Sequence, residues 1–222
     1  MNQDDSRAIA PQVSIPDIRD YDRVNAELIE LLHKGHPRVR LVGAEGQRFL
    51  ASGLTGAWNA IVEVEGRAGP ELAAGLNAPG LSVVCHGPAA DGAGRGLRKG
   101  RLVVLGDVGD GLAYAQEGGT ILATSNAGHR AGLNQKGGVL LVLGRLGRLA
   151  GERQAGGALF VFEERLGPHP GLSRRGGRFV RLNKETTLEP QDLEILRTAV
   201  LELSPWSVDF EALLPTGQIR LS

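Results

Sequence analysis

The chain reads as an all-β protein, a parallel β-helix (solenoid) of about seven turns, and three features of the sequence predict it. The first is a repeat: RLVVLGDVGDGLAYAQEGG, TILATSNAGHRAGLNQKGG and VLLVLGRLGRLAGERQAGG succeed one another from Arg101 to Gly157, each 19 residues long. The second is the apolar run that opens each block, too short for a helix and rich in Val, Leu and Ile, which marks a strand. Successive copies run in one direction, so the strands pair in parallel. The third is glycine: of 33 in the chain, all but Gly35 and Gly217 lie between Val39 and Gly177. Corners that recur at every level need positive φ angles or close backbone approach, and glycine permits both.

In chain order, residues 1 to 14 have the mixed polar composition of a loose arm, and Ile15 to Asp20 reads as an extended lead-in. Asp20 or Asp22 can cap a helix running to about Lys34, with Val24, Leu28, Leu31 and Leu32 at helical spacing and Gly35 stopping it. This arm and helix (1–38) cover the first turn. The β-helix itself occupies 39–182. Val39 to Gly56 is a degenerate first copy, Ile61 to Gly80 and Leu81 to Gly100 are copies of 20 residues, and Ala158 to Gly177 is the last full one before a strand at Arg178 to Leu182. The corner glycines expected from this frame are Gly66, Gly69, Gly106, Gly109, Gly118, Gly119, Gly128, Gly137, Gly138, Gly144, Gly147, Gly156, Gly157, Gly176 and Gly177. In the last segment, 183–222, Pro190 to Leu203 predicts a second capping helix with Leu193, Leu196, Val200 and Leu203 on one face. The tail beyond it carries Trp206, Phe210, Leu213 and Leu214, too apolar for a free linker, and is expected to dock on the rod or on a partner.

The chain has 25 acidic and 25 basic residues, yet Arg95 to Arg181 holds 14 Lys or Arg against 6 Asp or Glu, a net of +8. Without aromatics interleaved among the basic residues, this excess predicts a solvated face or an acidic protein partner rather than nucleic acid. The apolar runs are too short to span a membrane and MNQDDSRAIAPQ lacks a signal-peptide pattern, so the expected location is the cytoplasm. Cys85 is the only cysteine, which excludes an intrachain disulfide.

Candidate chemistry is sparse. Cys85 beside His86 and Ser125 near His129 are the pairs that a hydrolase needs, a nucleophile within reach of a base. Neighbours on a strand point to opposite faces, which separates Cys85 from His86 and makes Cys85 a core residue. His33, His36, His86, His129 and His169 are dispersed without ligand spacing, so no metal site is expected. The glycines from Gly106 belong to a repeat rather than to a dinucleotide loop.

The strand, Gly-x-x-Gly and Gly-Gly pattern, together with LVGAEGQRFLASGLTG from Leu41 to Gly56, resembles the GXGXG domain. That domain is the right-handed parallel β-helix at the C-terminal end of the glutamate synthase large subunit, also found as a separate protein and in one of the subunits of formylmethanofuran dehydrogenase. The resemblance implies a non-catalytic scaffold subunit. It would join amidotransferase and FMN synthase subunits of a glutamate synthase-like or N-methylglutamate synthase-like complex, with no cofactor of its own and FMN or a metal cofactor in the partners. It equally allows a formylmethanofuran dehydrogenase or formyltransferase/hydrolase complex of one-carbon metabolism. A self-sufficient esterase is the reading of another class. The charged corner residues Glu71, Asp91, Asp110, His129, Arg130, Arg148, Glu152 and Arg153 form the ridge expected to contact partner subunits.

Overall fold

The computed structural model describes residues 10–18, 20–183 and 187–203. Nine parallel strands form one sheet in sequence order: β1 (Gln12–Ser14), β2 (Arg38–Glu45), β3 (Ala60–Arg67), β4 (Asn77–Cys85), β5 (Lys99–Val104), β6 (Glu117–Ala123), β7 (Gly137–Val142), β8 (Ala158–Phe162) and β9 (Arg178–Leu182). Each strand is one side of a solenoid turn. Inward residues stack in register, one ladder running Val62, Val83, Leu102, Ile121, Leu140 and Leu159, and the next Val64, Cys85, Val104, Ala123, Val142 and Val161. All twelve are at most 2% exposed, so the interior is the aliphatic column that the repeat predicts.

The second side carries isolated parallel bridges through Ala68, Ala89, Val108, Ala127, Leu146 and Leu166. On the third side, every other residue of each turn is left-handed. Gly92, Gly94 and Gly96 show the pattern, and the equivalent positions of the seven turns have φ from +53° to +73°. All twelve non-glycine residues with positive φ lie in these three columns, Arg130, Asn134 and Arg153 among them. An L-residue there is strained by roughly 1–2 kcal/mol. The strain is held by hydrogen bonds between turns, such as Ala113 N to Ala93 O and Gly132 N to Leu112 O.

The expected corner glycines fall into two groups. Gly66, Gly119, Gly138, Gly157 and Gly177 have positive φ, whereas Gly69, Gly106, Gly109, Gly118, Gly128, Gly137, Gly144, Gly147, Gly156 and Gly176 do not. A Cβ on any of the second group would stand within 2.7 Å of an atom of the preceding turn, so close approach is what demands glycine there.

Two expectations at the N-terminus need correction. Ile15 to Asp20 is not an extended lead-in: Ile15–Ile18 is a helical turn, α1, with Ile15 buried, and only Asp20 is extended. The arm is also less loose than its composition suggests, because Gln12–Ser14 pairs with Arg40–Val42 as β1 and Val13 is buried.

The N-terminal helix α2 (Tyr21–His33) begins at Asp20, whose side chain accepts from Asp22 N, and ends before Gly35 at φ +81°. It caps the first turn through a particular hydrogen bond. In later turns the amide equivalent to Ala51 N donates to the preceding turn, as Ala73 N does to Leu50 O, but no turn precedes the first. Asn25 Oδ1 on α2 takes its place, accepting from Ala51 N at 2.9 Å while Nδ2 donates to Phe49 O at 2.8 Å.

The remaining helix, α3 (Pro190–Leu203), has the predicted bounds but, contrary to expectation, does not cap the end of the rod. It lies on the outer face of the sheet. Leu196, Val200 and Leu203 join Val84, Val103, Leu122, Leu141, Phe160 and Val180, an outward ladder in continuous register, in a second apolar cluster. Arg178 pairs with Asp192 near its start, and Thr120 Oγ1 donates to Glu202 Oε2 at 2.6 Å near its end, so it runs from β9 back toward β6. The tail with Trp206, Phe210, Leu213 and Leu214 lies outside the described residues.

Candidate functional site: the charged corners

The nucleophile candidates are committed elsewhere. Cys85 is fully buried in the inward ladder, its thiol 3.3 Å from Gly87 O, and burial raises its pKa above the ordinary thiol value. His86 faces outward, with Nε2 at 3.5 Å from Glu63 Oε1. In the folded protein Cys85 is therefore expected to resist an aromatic disulfide reagent at pH about 8 and to react fully only after unfolding; fast native labelling would contradict the ladder assignment.

Ser125 Oγ donates to Asp107 Oδ1, and His129 Nδ1 accepts from Arg148 N at 3.1 Å, so no hydroxyl–imidazole hydrogen bond joins the two. Of the five histidines, His33 and His36 line one hollow of about 530 Å³ beside Trp58, on which His33 stacks with ring centroids 5.4 Å apart. No group of three or more His, Cys, Asp or Glu suited to a metal ion occurs among the described residues.

The corners, by contrast, are highly ordered. Asp91 Oδ1 accepts from Asp110 N at 2.8 Å, Asp110 Oδ1 from His129 N at 2.7 Å, and His129 Nδ1 from Arg148 N. Each side chain thus satisfies the amide of the turn above, and each covers the glycine beside that amide. A Cβ on Gly109, Gly128 or Gly147 would lie 2.1–2.4 Å from that same acceptor atom. The charges at Asp91, Asp110 and His129 consequently have a structural use that the sequence does not announce.

A second column, not singled out from the sequence, repeats the device. Asp107 Oδ1 accepts from Asn126 N at 3.0 Å and Asn126 Oδ1 from Arg145 N at 2.9 Å. The Ser125 hydroxyl and the Asn126 amide hold the Asp107 carboxyl below the usual carboxylate range. The spacing of 19 between Asp107, Asn126 and Arg145 was the available signal.

The remaining ridge residues sit one or more columns further round. Glu71 and Arg130, expected beside Asp91 and Asp110, belong instead to the first left-handed column, because Pro70 occupies the corresponding place in its turn. Glu71 pairs with Arg95 at 2.8 Å and Arg130 with Glu152 at 3.1 Å, while Arg153 is exposed in the third left-handed column.

Fold and corners together define a parallel β-solenoid whose turns are registered by glycine contacts and side-chain-to-amide ladders. A family model for the GXGXG motif matches residues 38–205, and the chain belongs to that family. The motif is legible in Gly92, Gly94 and Gly96, the alternate left-handed residues of the third side. No curated protein and no solved structure matches the chain significantly. No described helix is long and apolar enough to cross a membrane.

Proposed function

We propose that this chain is a non-catalytic scaffold subunit of a glutamate synthase-like or N-methylglutamate synthase-like oxidoreductase complex, where it holds an amidotransferase and an FMN synthase subunit at a fixed separation. The observation that carries the reading is the GXGXG match over residues 38–205, which spans nearly the whole rod. A rod cross-linked turn by turn through backbone and corner hydrogen bonds suits that task, because a spacer between two active sites must resist bending. The flavin, or a metal cofactor, belongs on this reading to the partners.

Tagged protein recovered from its native cells should bring down a flavin-binding chain and a glutaminase-type chain. Recovery with formylmethanofuran dehydrogenase-type chains would replace this assignment by the one-carbon complex. Ester hydrolysis by the purified chain alone would end the scaffold reading.

On this proposal the partner subunits meet the third side, at Glu71, Arg130, Glu152 and Arg153. Reversing Arg130 and Arg153 together to Glu is expected to leave the melting temperature within a few degrees of the parent while weakening co-purification about tenfold. Unchanged recovery of the partners would place their contact elsewhere.

A further inference from the structure

The second side of the rod changes the sign of its charge along its length. One column presents Asp107, Asn126 and Arg145, the other Asp110, His129 and Arg148, each step one turn, and all six are exposed. The floor between them is flat, made of Gly109, Gly128 and Gly147 beside the bridge residues Val108, Ala127 and Leu146. The face is thus acidic at one turn, uncharged or titratable at the next, and basic at the one after.

The acidic groups are fixed before any partner arrives: Asp107 and Asp110 each have Oδ1 tied to an amide of the next turn, with the second oxygen left to project. Arg145 and Arg148 make no ion pair among the described residues. Two turns, about 10 Å, separate them from the aspartates of their own columns, beyond salt-bridge distance at the backbone.

We propose that this face is an isologous interface on which a second copy of the chain docks antiparallel. The two-fold axis crosses the rod at the level of Asn126 and His129 and lies in the plane of the face. That operation turns each column end for end onto itself. Asp107 then meets Arg145 of the partner subunit, Asp110 meets Arg148 of the partner subunit, and symmetry repeats both pairs. Parallel docking would set like charge on like, so charge alone selects the antiparallel mode. The glycine floor lets the two rods approach closely. This inference is independent of the scaffold reading, since it concerns the second side and not the third.

The strip is only about 10 Å across, so the area buried falls short of the roughly 800 Å² per partner of a standard interface, and the dimer is weak and salt-sensitive. Sedimentation velocity of the full chain between about 1 and 200 μM should show a dimer growing with concentration in roughly 20 mM salt and dissolving in about 1 M salt. Arg145→Glu with Arg148→Glu removes no side-chain hydrogen bond and should be monomeric with an unaltered circular dichroism spectrum. Mixed in equal amounts with Asp107→Arg, Asp110→Arg, it should recover the dimer as a mixed species. Because that second variant also loses two amide acceptors and is at risk of misfolding, a cross-link gives an independent reading. Asn126→Cys should oxidise to a covalent dimer, whereas Lys136→Cys, on another side of the rod, should not. A parent that stays monomeric at every concentration, an Arg145→Glu, Arg148→Glu variant that dimerises like the parent, or an Asn126→Cys variant that does not cross-link would each overturn the proposal.

Discussion

Gly156→Val is expected to cost at least roughly 4 kcal/mol, most of the stability of a typical domain, and Gly137→Val to do the same. Neither glycine has a left-handed backbone, so the penalty is steric. A Cβ on Gly156 would stand 2.1 Å from Lys136 O, and one on Gly137 would stand 2.2 Å from Glu117 O. Those oxygens cannot retreat alone, because each belongs to a turn hydrogen-bonded above and below. Relief requires a change in turn spacing that every later turn would feel. Gly75→Ala is the matched control: φ is +66°, yet nothing lies within 4 Å of its Cβ, and Ala115, Asn134, Arg153 and Ser173 occupy the same column. It should cost about 1 kcal/mol. Chemical denaturation followed by circular dichroism separates the cases; similar midpoints for Gly156→Val and Gly75→Ala would mean that approach between turns is not what fixes these glycines.

The rod was legible because a repeat states the same physical need many times. Val83, Leu102, Ile121 and Leu140 stack at 19-residue intervals, and only parallel pairing between successive turns satisfies that register. The helix bounds were equally open to inspection, through Asp20 and Gly35 in one case and Pro190 in the other. What escaped is the kind of fact that depends on which turn lies above which. The site of α3 had a signal of its own: β3 alternates apolar and acidic residues outward at Ile61, Glu63 and Glu65, whereas from β4 onward Val84, Val103, Leu122 and Leu141 make the strands apolar on both faces. A strand apolar on both sides is covered on both sides. The corner charges were visible as charges, but their hydrogen bonds to the next turn's amides emerge only when Asp110 is placed under His129 and Asp107 under Asn126.

Gln135→Leu is expected to destabilise by about 2–3 kcal/mol although it exchanges a polar for an apolar side chain at a fully buried site. Gln116, Gln135 and Gln154 follow one another at 19-residue spacing and are all 0% exposed. Gln135 Nε2 donates to Gln116 Oε1 at 3.0 Å, Gln154 Nε2 to Gln135 Oε1 at 2.9 Å, and Arg174 Nε closes the ladder on Gln154 Oε1 at 2.9 Å. The amides also serve the corners, Gln116 Nε2 reaching Gly118 O at 3.0 Å and Gln154 Nε2 reaching Arg178 O at 3.2 Å. Leucine at 135 leaves Gln116 Oε1 buried without its donor and takes from Gln154 one of its two acceptors. Leucine itself fits this column, since Leu76 and Leu97 hold the equivalent places two and one turns below Gln116. The penalty is therefore for a broken chain and not for shape, and converting all three glutamines to leucine should cost clearly less than the three single changes added together. A coupling of about 1 kcal/mol or more, from denaturation of the singles and the triple, is the expected result. Additivity within about 0.5 kcal/mol would show that each glutamine acts alone.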